Sequence, residues 1–410
     1  MATIVLCPYR ATKFLNRGGN FWVYLQYALG LRAIGCDVHW LERLEEPGAG
    51  WEGIDASANE QAELLHRTLS RFGISNRPIL YTTPGERAEC FEPSYIGVDE
   101  SEAERTLRRA DLLLNFHQKI HPELLARFGR TALVDIDPGL LQYWISSGLL
   151  HVPNHDLYFT IGETVGTPSA RFPDCGIAWI PIRPPVFLDQ WQFTRASDTA
   201  PFTTVSSWHG DEYILEGDGY WDNNKRISWL RLAELPKLTN QSLEIATYFG
   251  EKDASERLLL ERNGWGVRHA PDVAGTPERY RSYVQSSRGE ISCAKPSCMH
   301  FQNAWISDRT LCYLASGKPA VVQNTGPSSY IPDDGSGLLR FSTAEEAAAA
   351  IDEVNASYAQ NCSDAREIAE SYFNAVEVAG HIVQTALGEG TFEVADRAAQ
   401  GRHVKAAPDH

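Results

Sequence analysis

The segment over residues 303–326 constrains the fold most, because it reads in turn as a loop, a short helix, a Gly-Lys-Pro turn and a buried strand. Ser307 or Asp308 can cap the helix, and apolar residues at helical spacing give it one buried face. Gly317 can end the helix in a left-handed conformation, and Pro319 prevents its continuation. A helix that leads directly into an apolar strand predicts an α/β domain.

The first turn of this helix carries a cation, Arg309. A cation at a helix N-terminus is unfavourable for the helix dipole, whereas anions bind there. We therefore expect Ser307, Asp308, Arg309 and Thr310 to bind an anionic ligand, for which a diphosphate is the obvious candidate. The alternative is an ordinary buried helix, turn and strand without a ligand.

The same alternation of apolar runs and helical stretches continues along most of the chain. Apolar runs predict strands in the first half at 4–6, 38–41, 79–81, 112–114, 132–134 and 158–161. Further strands are predicted in the second half at 203–205, 243–246, 266–268, 290–292 and 320–322. The predicted fold class is α/β, with two doubly wound Rossmann-like domains.

A length of 410 residues favours two hydrophobic cores, and a proline-rich segment divides the chain. We expect an N-terminal α/β domain over 1–183, a linker over 184–201 and a C-terminal α/β domain over 202–363. A helix over 364–387 is expected to pack back on the N-terminal domain. Residues 388–410 are expected to form a flexible tail.

Composition excludes several classes of function. The net charge is −16, without a basic run, which opposes nucleic acid or an anionic membrane as a partner. The eight cysteines form no CxxC pair, and no group of histidines has the spacing of metal ligands, so we expect no bound metal. We expect the thiols to be reduced and the protein to be cytoplasmic. No apolar run is long enough for a membrane span. Neither half contains GxGxxG, so nothing indicates an NAD enzyme.

The helix ending Ala-x-Gly-x-Pro and the Val-Val strand after it resemble the nucleotide-binding helix of GT-B glycosyltransferases. Within that fold, the chain resembles the retaining, nucleotide-sugar-dependent enzymes that are family 4-like. It implies two domains facing a cleft, with the acceptor mainly on the N-terminal side and the donor on the C-terminal side. The chain departs from that family at Trp305 and Cys312, where the family normally has glutamates. Ribose binding must then be arranged differently.

The resemblance also implies donor-binding residues outside the helix. Gly18 and Gly19 stand between the first strand and the first helix, where bare backbone can approach the donor phosphates. Lys225 resembles the lysine that neutralises the leaving diphosphate. Lys295 follows the carboxyl end of a strand, where ligands bind in open sheets. A flexible turn is the alternative for the glycines, and a solvated charge is the alternative for Lys295.

Two predicted catalytic residues follow strands of the first half. His117 occupies the position of a cleft histidine in the family, and Asp137 could act as a general base or bind the acceptor. Glu163 is a third candidate base. The predicted acceptor-binding residues are Asn20, Trp22, Tyr143, Trp144 and Glu163.

The expected activity is transfer of a hexosyl group from a nucleoside-diphosphate sugar, such as a UDP-sugar, to a hydroxyl of an acceptor. A small natural-product molecule is one acceptor class. Cationic side chains can stabilise the leaving diphosphate, so we expect no cofactor and no required metal. The alternatives are a GT-B-fold epimerase or hydrolase of nucleotide sugars and a non-catalytic sugar-nucleotide-binding protein. The sugar, the base, the acceptor, the stereochemistry and the oligomeric state stay open.

Overall fold

The computed structural model describes residues 1–45, 56–83, 91–210, 213–216, 219–331 and 335–388. The strands of the first half are β1 Thr3–Cys7, β2 Asp37–Arg43, β3 Ile79–Thr82, β4 Ser94–Ile96, β5 Leu112–Asn115, β6 Thr131–Asp135, β7 Leu157–Thr160 and β8 Trp179–Pro181. They form one sheet in the order β4-β3-β2-β1-β5-β6-β7-β8. Every neighbouring pair is parallel except β3 and β4. The central strands β5 and β6 are buried throughout, as their near-continuous apolar runs require.

The second half contains a second sheet and a hairpin. Its strands are β9 Phe202–Val205, β10 Tyr213–Glu216, β11 Gly219–Asp222, β12 Leu243–Thr247, β13 Gly266–His269, β14 Gly289–Ser292, β15 Ala320–Gln323 and β16 Leu338–Phe341. Strands β10 and β11 pair as an antiparallel hairpin. The other six form a parallel sheet in the order β13-β12-β9-β14-β15-β16.

Fourteen α-helices occur within the described ranges. They are α1 Gly18–Ala33, α2 Ala58–Arg71, α3 Glu100–Arg109, α4 Pro122–Leu125, α5 Leu140–Ser146, α6 Lys225–Arg231, α7 Ala254–Arg262, α8 Ala270–Ala274, α9 Pro277–Ser286, α10 Pro296–Phe301, α11 Asp308–Ala315, α12 Ala344–Ala356, α13 Tyr358–Tyr372 and α14 Ala375–Leu387. None of these helices is long and apolar enough to cross a membrane.

In each of the two large sheets, the order in which the chain adds strands changes direction at one point. These points lie between β1 and β5 and between β9 and β14. Ligands of open α/β sheets bind outside the carboxyl ends of the strands at such points. The two carboxyl ends face each other, since Lys295, after β14, forms an ion pair with Asp137, after β6 (Nζ to Oδ1, 3.1 Å). The predicted pair of doubly wound domains around a cleft is confirmed.

The end of the chain differs from the sequence expectation. The structure divides the predicted helix over 364–387 into two, because α13 ends at Tyr372 and α14 starts at Ala375. Asn374 lies at the break, and its Oδ1 caps α14 by accepting a hydrogen bond from the Val376 N–H (3.1 Å). α14 then packs along α1 in the N-terminal half. Residues 389–410 of the predicted tail lie outside the described residues.

One hydrophobic core continues from the first half into the second. Trp191, from the connecting segment, packs on Trp22 of α1 with ring centroids 4.7 Å apart. Its other neighbour is Tyr280 of α9, at 6.2 Å. All three side chains are at most 1% exposed. This packing fixes α1 against the C-terminal half and so places one wall of the cleft.

Candidate functional site

A cavity of about 220 Å³ lies in the cleft between the two sheets. The predicted site residues that line it are Asn20, Asp137, Lys225, Lys295, Ser307 and Asp308. Other lining residues, among them Val23, Tyr27 and Trp305, had no predicted role in binding. A larger cavity, of about 540 Å³, lies between β16 and α12, but it contains none of the predicted residues. The smaller cavity is therefore the candidate site.

Lys225 begins α6 and lines the cavity from the C-terminal half. Its Nζ lies over the ring of Trp305, 5.5 Å from the ring centroid. Burial, and then the charges of Arg309 and Lys295, lower the pKa of Lys225 to about 8. A bound phosphate would supply the opposite charge that favours the ammonium form.

The Asp137 loop forms the opposite wall and is fixed by the carboxylate before it. Asp135 is fully buried, and it accepts hydrogen bonds from the Asp137 N–H (3.0 Å), Gln142 Nε2 (2.8 Å) and Thr160 Oγ1 (2.9 Å). Burial raises the pKa of Asp135 to about 7. Asp135 thus positions Asp137, which pairs with Lys295 in the cleft. In the described part of the chain no group of three or more His, Cys, Asp or Glu side chains could hold a metal ion.

The N-terminus of α11 forms the floor of the cavity. Ser307 caps this helix, since its Oγ accepts a hydrogen bond from the Arg309 N–H (3.3 Å). Asp308 lines the cavity, and burial raises the pKa of its carboxyl group. Thr310 is buried and lies outside the cavity lining.

Arg309 also lies outside the lining, although we expected it to face an anion. Its Nε donates to Glu290 Oε1 (2.6 Å), and its Nη1 donates to the Val205 carbonyl (3.0 Å). Both side chains of the ion pair are buried. The cation in the first turn is therefore neutralised within the domain, and Arg309 ties α11 to the carboxyl end of β9.

Gly18 and Gly19 contact protein where we expected a phosphate. A Cβ atom on Gly18 would lie 2.3 Å from the Thr276 carbonyl oxygen, and one on Gly19 would lie 2.8 Å from the Tyr280 ring. Close approach of α1 to the C-terminal half accounts for both glycines. Neither lines the cavity.

His117 follows β5, as predicted, but it is buried and does not line the cavity. Its ring stacks on Tyr9, with centroids 5.0 Å apart, and its backbone N–H donates to Asn115 Oδ1 (2.9 Å). Burial, and then the charges of Arg43 and Arg10, lower the pKa of His117 to about 4. The imidazole is therefore neutral at pH 7.

The structure distributes the predicted acceptor residues over several places. Trp22 belongs to the core, and its Nε1 donates to the Pro277 carbonyl (2.9 Å). Tyr143 packs near Phe301, and Trp144 packs against the small clusters beside α5. Only Asn20 lines the candidate cavity.

Glu163, the last predicted acceptor residue, connects the domains. Its carboxylate accepts hydrogen bonds from Ser328 Oγ (2.7 Å) and the Ser329 N–H (2.8 Å). It borders a separate cavity of about 290 Å³, in which Arg183 lies between the rings of Tyr330 and Tyr372.

Sequence reasoning missed Tyr27 as a cavity residue. Cys312 is buried under Gln26 of α1, whose Nε2 lies 3.7 Å from its Sγ, so the position of the family's ribose-binding glutamate is closed. Tyr27 follows Asn20 by seven residues and Val23 by four, a spacing that places all three on one helix face. That spacing was the available signal for Tyr27.

Comparison with known proteins agrees with this architecture. No protein-family profile and no curated protein matches the chain. Among solved structures, Anabaena Alr3699/HepE in complex with UDP and glucose gives a TM-score of 0.55 at 12% identity, over 94% of this chain and 99% of that one. Sucrose-phosphate synthase from Thermosynechococcus elongatus gives a TM-score of 0.53 at 13% identity, over 94% of this chain and 98% of that one. AviGT4, a glycosyltransferase involved in avilamycin A biosynthesis, gives 0.51 at 14% identity, over 94% and 97%.

These identities are low, so the likeness concerns the fold. The neighbours have the GT-B architecture of two Rossmann-like domains, and this chain shares it along nearly its whole length. The predicted GT-B fold is confirmed.

Proposed function

We propose that this protein is a glycosyltransferase that moves a sugar from a nucleoside-diphosphate sugar to a hydroxyl group of an acceptor. The observation that carries the proposal is the convergence of Lys225 and Lys295 on a cavity in a GT-B cleft. The same cavity contains the N-terminus of α11, whose backbone dipole favours an anion.

The cations act on the leaving group. As the bond between the anomeric carbon and the phosphate oxygen breaks, the electron pair and negative charge remain on the diphosphate. Lys225 and Lys295 stabilise this charge as it develops on the leaving diphosphate. A diphosphate that pairs with Lys295 also releases Asp137 from its ion pair.

The released Asp137 is our candidate for the acceptor side. The acceptor oxygen forms the new bond to the anomeric carbon, and its proton passes to a base, for which the Asp137 carboxylate is in place. His117 is buried outside the cavity, so we assign it no proton transfer. The stereochemical outcome depends on which face of the sugar the acceptor approaches.

UDP-glucose is the first donor to test, since the Anabaena structures are described with UDP, glucose and UDP-glucose. A small natural-product acceptor is a proposal of the same kind, since AviGT4 is described as acting in avilamycin A biosynthesis. No metal or cofactor is part of the proposal.

The test compares nucleotide binding in two lysine variants by thermal shift and calorimetry, with UDP, dTDP, GDP, ADP and NAD as ligands. Lys225→Met should weaken binding of the preferred nucleoside diphosphate by about 1.5–3 kcal/mol, the range for hydrogen bonds to charged groups. Lys237→Met removes a lysine that is more than half exposed and should change nothing. If no nucleoside diphosphate stabilises the wild-type protein, the proposal is wrong.

Product analysis then separates the alternatives. Transfer to an added acceptor supports the transferase. Release of free sugar, or a changed sugar on the nucleotide, indicates a hydrolase or an epimerase. Tight binding without any turnover indicates a non-catalytic binding protein.

A further inference from the structure

One face of α1 carries two polar atoms that have no hydrogen-bond partner among the described residues. They are Asn20 Oδ1 and the hydroxyl oxygen of Tyr27, and both atoms are buried. Buried polar atoms are nearly always hydrogen-bonded, so an unsatisfied pair on one helix face requires an explanation. Both residues line the cleft cavity, together with Val23 between them.

The environment of Tyr27 shows what its hydroxyl can do. The ring packs edge-on against Phe116, with centroids 4.9 Å apart, which fixes its position. Burial, and then the charges of Asp308 and Asp135, raise the pKa of Tyr27 above its usual range, so the hydroxyl keeps its proton. It can therefore both donate and accept a hydrogen bond.

The cavity separates two kinds of chemistry. The cations Lys225 and Lys295 come from the C-terminal half and suit an anion, as the proposed function requires. The α1 face carries no charge and offers the Asn20 carbonyl oxygen and the Tyr27 hydroxyl. Groups of this kind hydrogen-bond to hydroxyls of a neutral, hydroxyl-rich ligand and give no preference for a phosphate.

We infer that Tyr27, with Asn20, binds the hydroxyl groups of a sugar in this cleft, and that the sugar is the glycosyl group of the donor. The inference rests on the proposed function, because it assigns the part of the donor next to the diphosphate. It makes Tyr27 a specificity-determining residue. A donor with its hydroxyls in place satisfies both buried atoms, whereas UDP alone leaves them unsatisfied.

The test is calorimetric titration of wild type and Tyr27→Phe with UDP and with UDP-glucose. The variant removes one buried, unsatisfied hydroxyl, so it should fold with an unchanged or higher melting temperature. We expect UDP to bind within twofold of wild type and UDP-glucose to bind at least tenfold more weakly. Tyr24→Phe is the matched control, because the Tyr24 hydroxyl already donates to the Tyr9 carbonyl (3.1 Å) and does not line the cavity.

A second arm distinguishes a sugar of the donor from a sugar of the acceptor. Methyl α-glucoside is titrated into wild type and into Tyr27→Phe, each saturated with UDP-glucose, and its binding is followed by saturation-transfer NMR. If Tyr27→Phe loses binding of methyl α-glucoside but keeps its affinity for UDP-glucose, the α1 face binds an acceptor sugar and the donor assignment is wrong. Unchanged binding in both arms would overturn the sugar assignment altogether. If wild type binds another nucleoside diphosphate in place of UDP, the same titrations use that nucleotide and its glucose conjugate. If it binds none, the proposed function fails, and this inference fails with it.

Discussion

Arg309 illustrates how a single residue can fit a ligand site in sequence and serve the fold in the structure. It forms a buried ion pair with Glu290, and its Nη1 holds the Val205 carbonyl. Removing one partner of a buried pair leaves an uncompensated charge, which is strongly destabilising. The main role of Arg309 in this structure is to fix α11 and β9 relative to each other.

We therefore predict that Arg309→Met lowers the free energy of unfolding by about 3–5 kcal/mol, measured by urea denaturation. Arg77→Met is the control, because Arg77 pairs with Glu63 and both side chains are about half exposed. It should cost less than about 1 kcal/mol. An Arg309 variant of normal stability that no longer binds UDP would instead restore the residue to the donor site.

The pKa of His117 gives a prediction at the same scale. Its folded value is about 4, below the value of about 6.5 for an unfolded chain. Between pH 6.5 and pH 4 the unfolded state binds more protons, so acidification through this window reduces stability. At pH 5 the free energy of unfolding that is lost because of His117 is about 2 kcal/mol.

His117→Gln should remove that part of the acid sensitivity, measured as the difference in unfolding free energy between pH 7 and pH 5. His155 is present in both proteins and cancels in the comparison. We also expect the pH profiles of turnover of the two proteins to be parallel between pH 6 and pH 8. A profile that loses a limb in the variant would show that His117 transfers a proton.

Among the elements, α1 depends on glycine where other elements approach it. A Cβ atom on Gly30 would lie 2.3 Å from the Ala375 carbonyl oxygen of α14. We predict that Gly30→Ala lowers the free energy of unfolding by about 1–3 kcal/mol, because the two helices must separate. Gly380→Ala in α14, which has open space around it, should raise stability by about 0.5–1 kcal/mol. Melting temperatures of the two variants should therefore shift in opposite directions. Equal shifts would contradict the close approach of α1 and α14 at Gly30.

The elements most readily predicted from sequence were the strands buried on both faces. All the predicted apolar runs form strands, because such runs between turn residues have few other stable environments. The edge strands β4, β8 and β16 and the hairpin of β10 and β11 were missed. β4 is only three residues long and partly exposed, so its sequence lacks a continuous apolar run.

The site was harder to predict, because the sequence does not show which distant group a side chain bonds to or what a glycine packs against. The helix cap at Ser307 and the position of Lys295 after a strand followed from local patterns, whereas Lys225 followed from the family resemblance. The partners of Gly18 and Gly19 are in the other domain, more than 250 residues away. Glu290 was a usable signal, since a carboxylate inside a buried strand requires a cation such as Arg309.

At the scale of the whole molecule, polar contacts across the cleft add to the hydrophobic core that the two halves share. Glu163 accepts hydrogen bonds from Ser328 and Ser329, and Asn303 Nδ2 donates to the Pro138 carbonyl (2.6 Å). These bonds exist only when the domains are close, whereas in an open form water replaces them. They therefore favour the closed form in which the two lysines and Asp137 meet.

Weakening these cross-cleft bonds should open the molecule without unfolding either domain. We predict that the double variant Glu163→Ala, Asn303→Ala has a larger radius of gyration by small-angle X-ray scattering, and that saturating UDP reverses the change. Because closure then costs part of the binding energy, its affinity for UDP should fall about tenfold, equivalent to about 1.4 kcal/mol. Arg71→Ala is the control, since Arg71 also reaches across to Glu278 but is 65% exposed. An unchanged radius in the double variant would mean that the packed aromatic rings around Trp191 alone keep the domains closed.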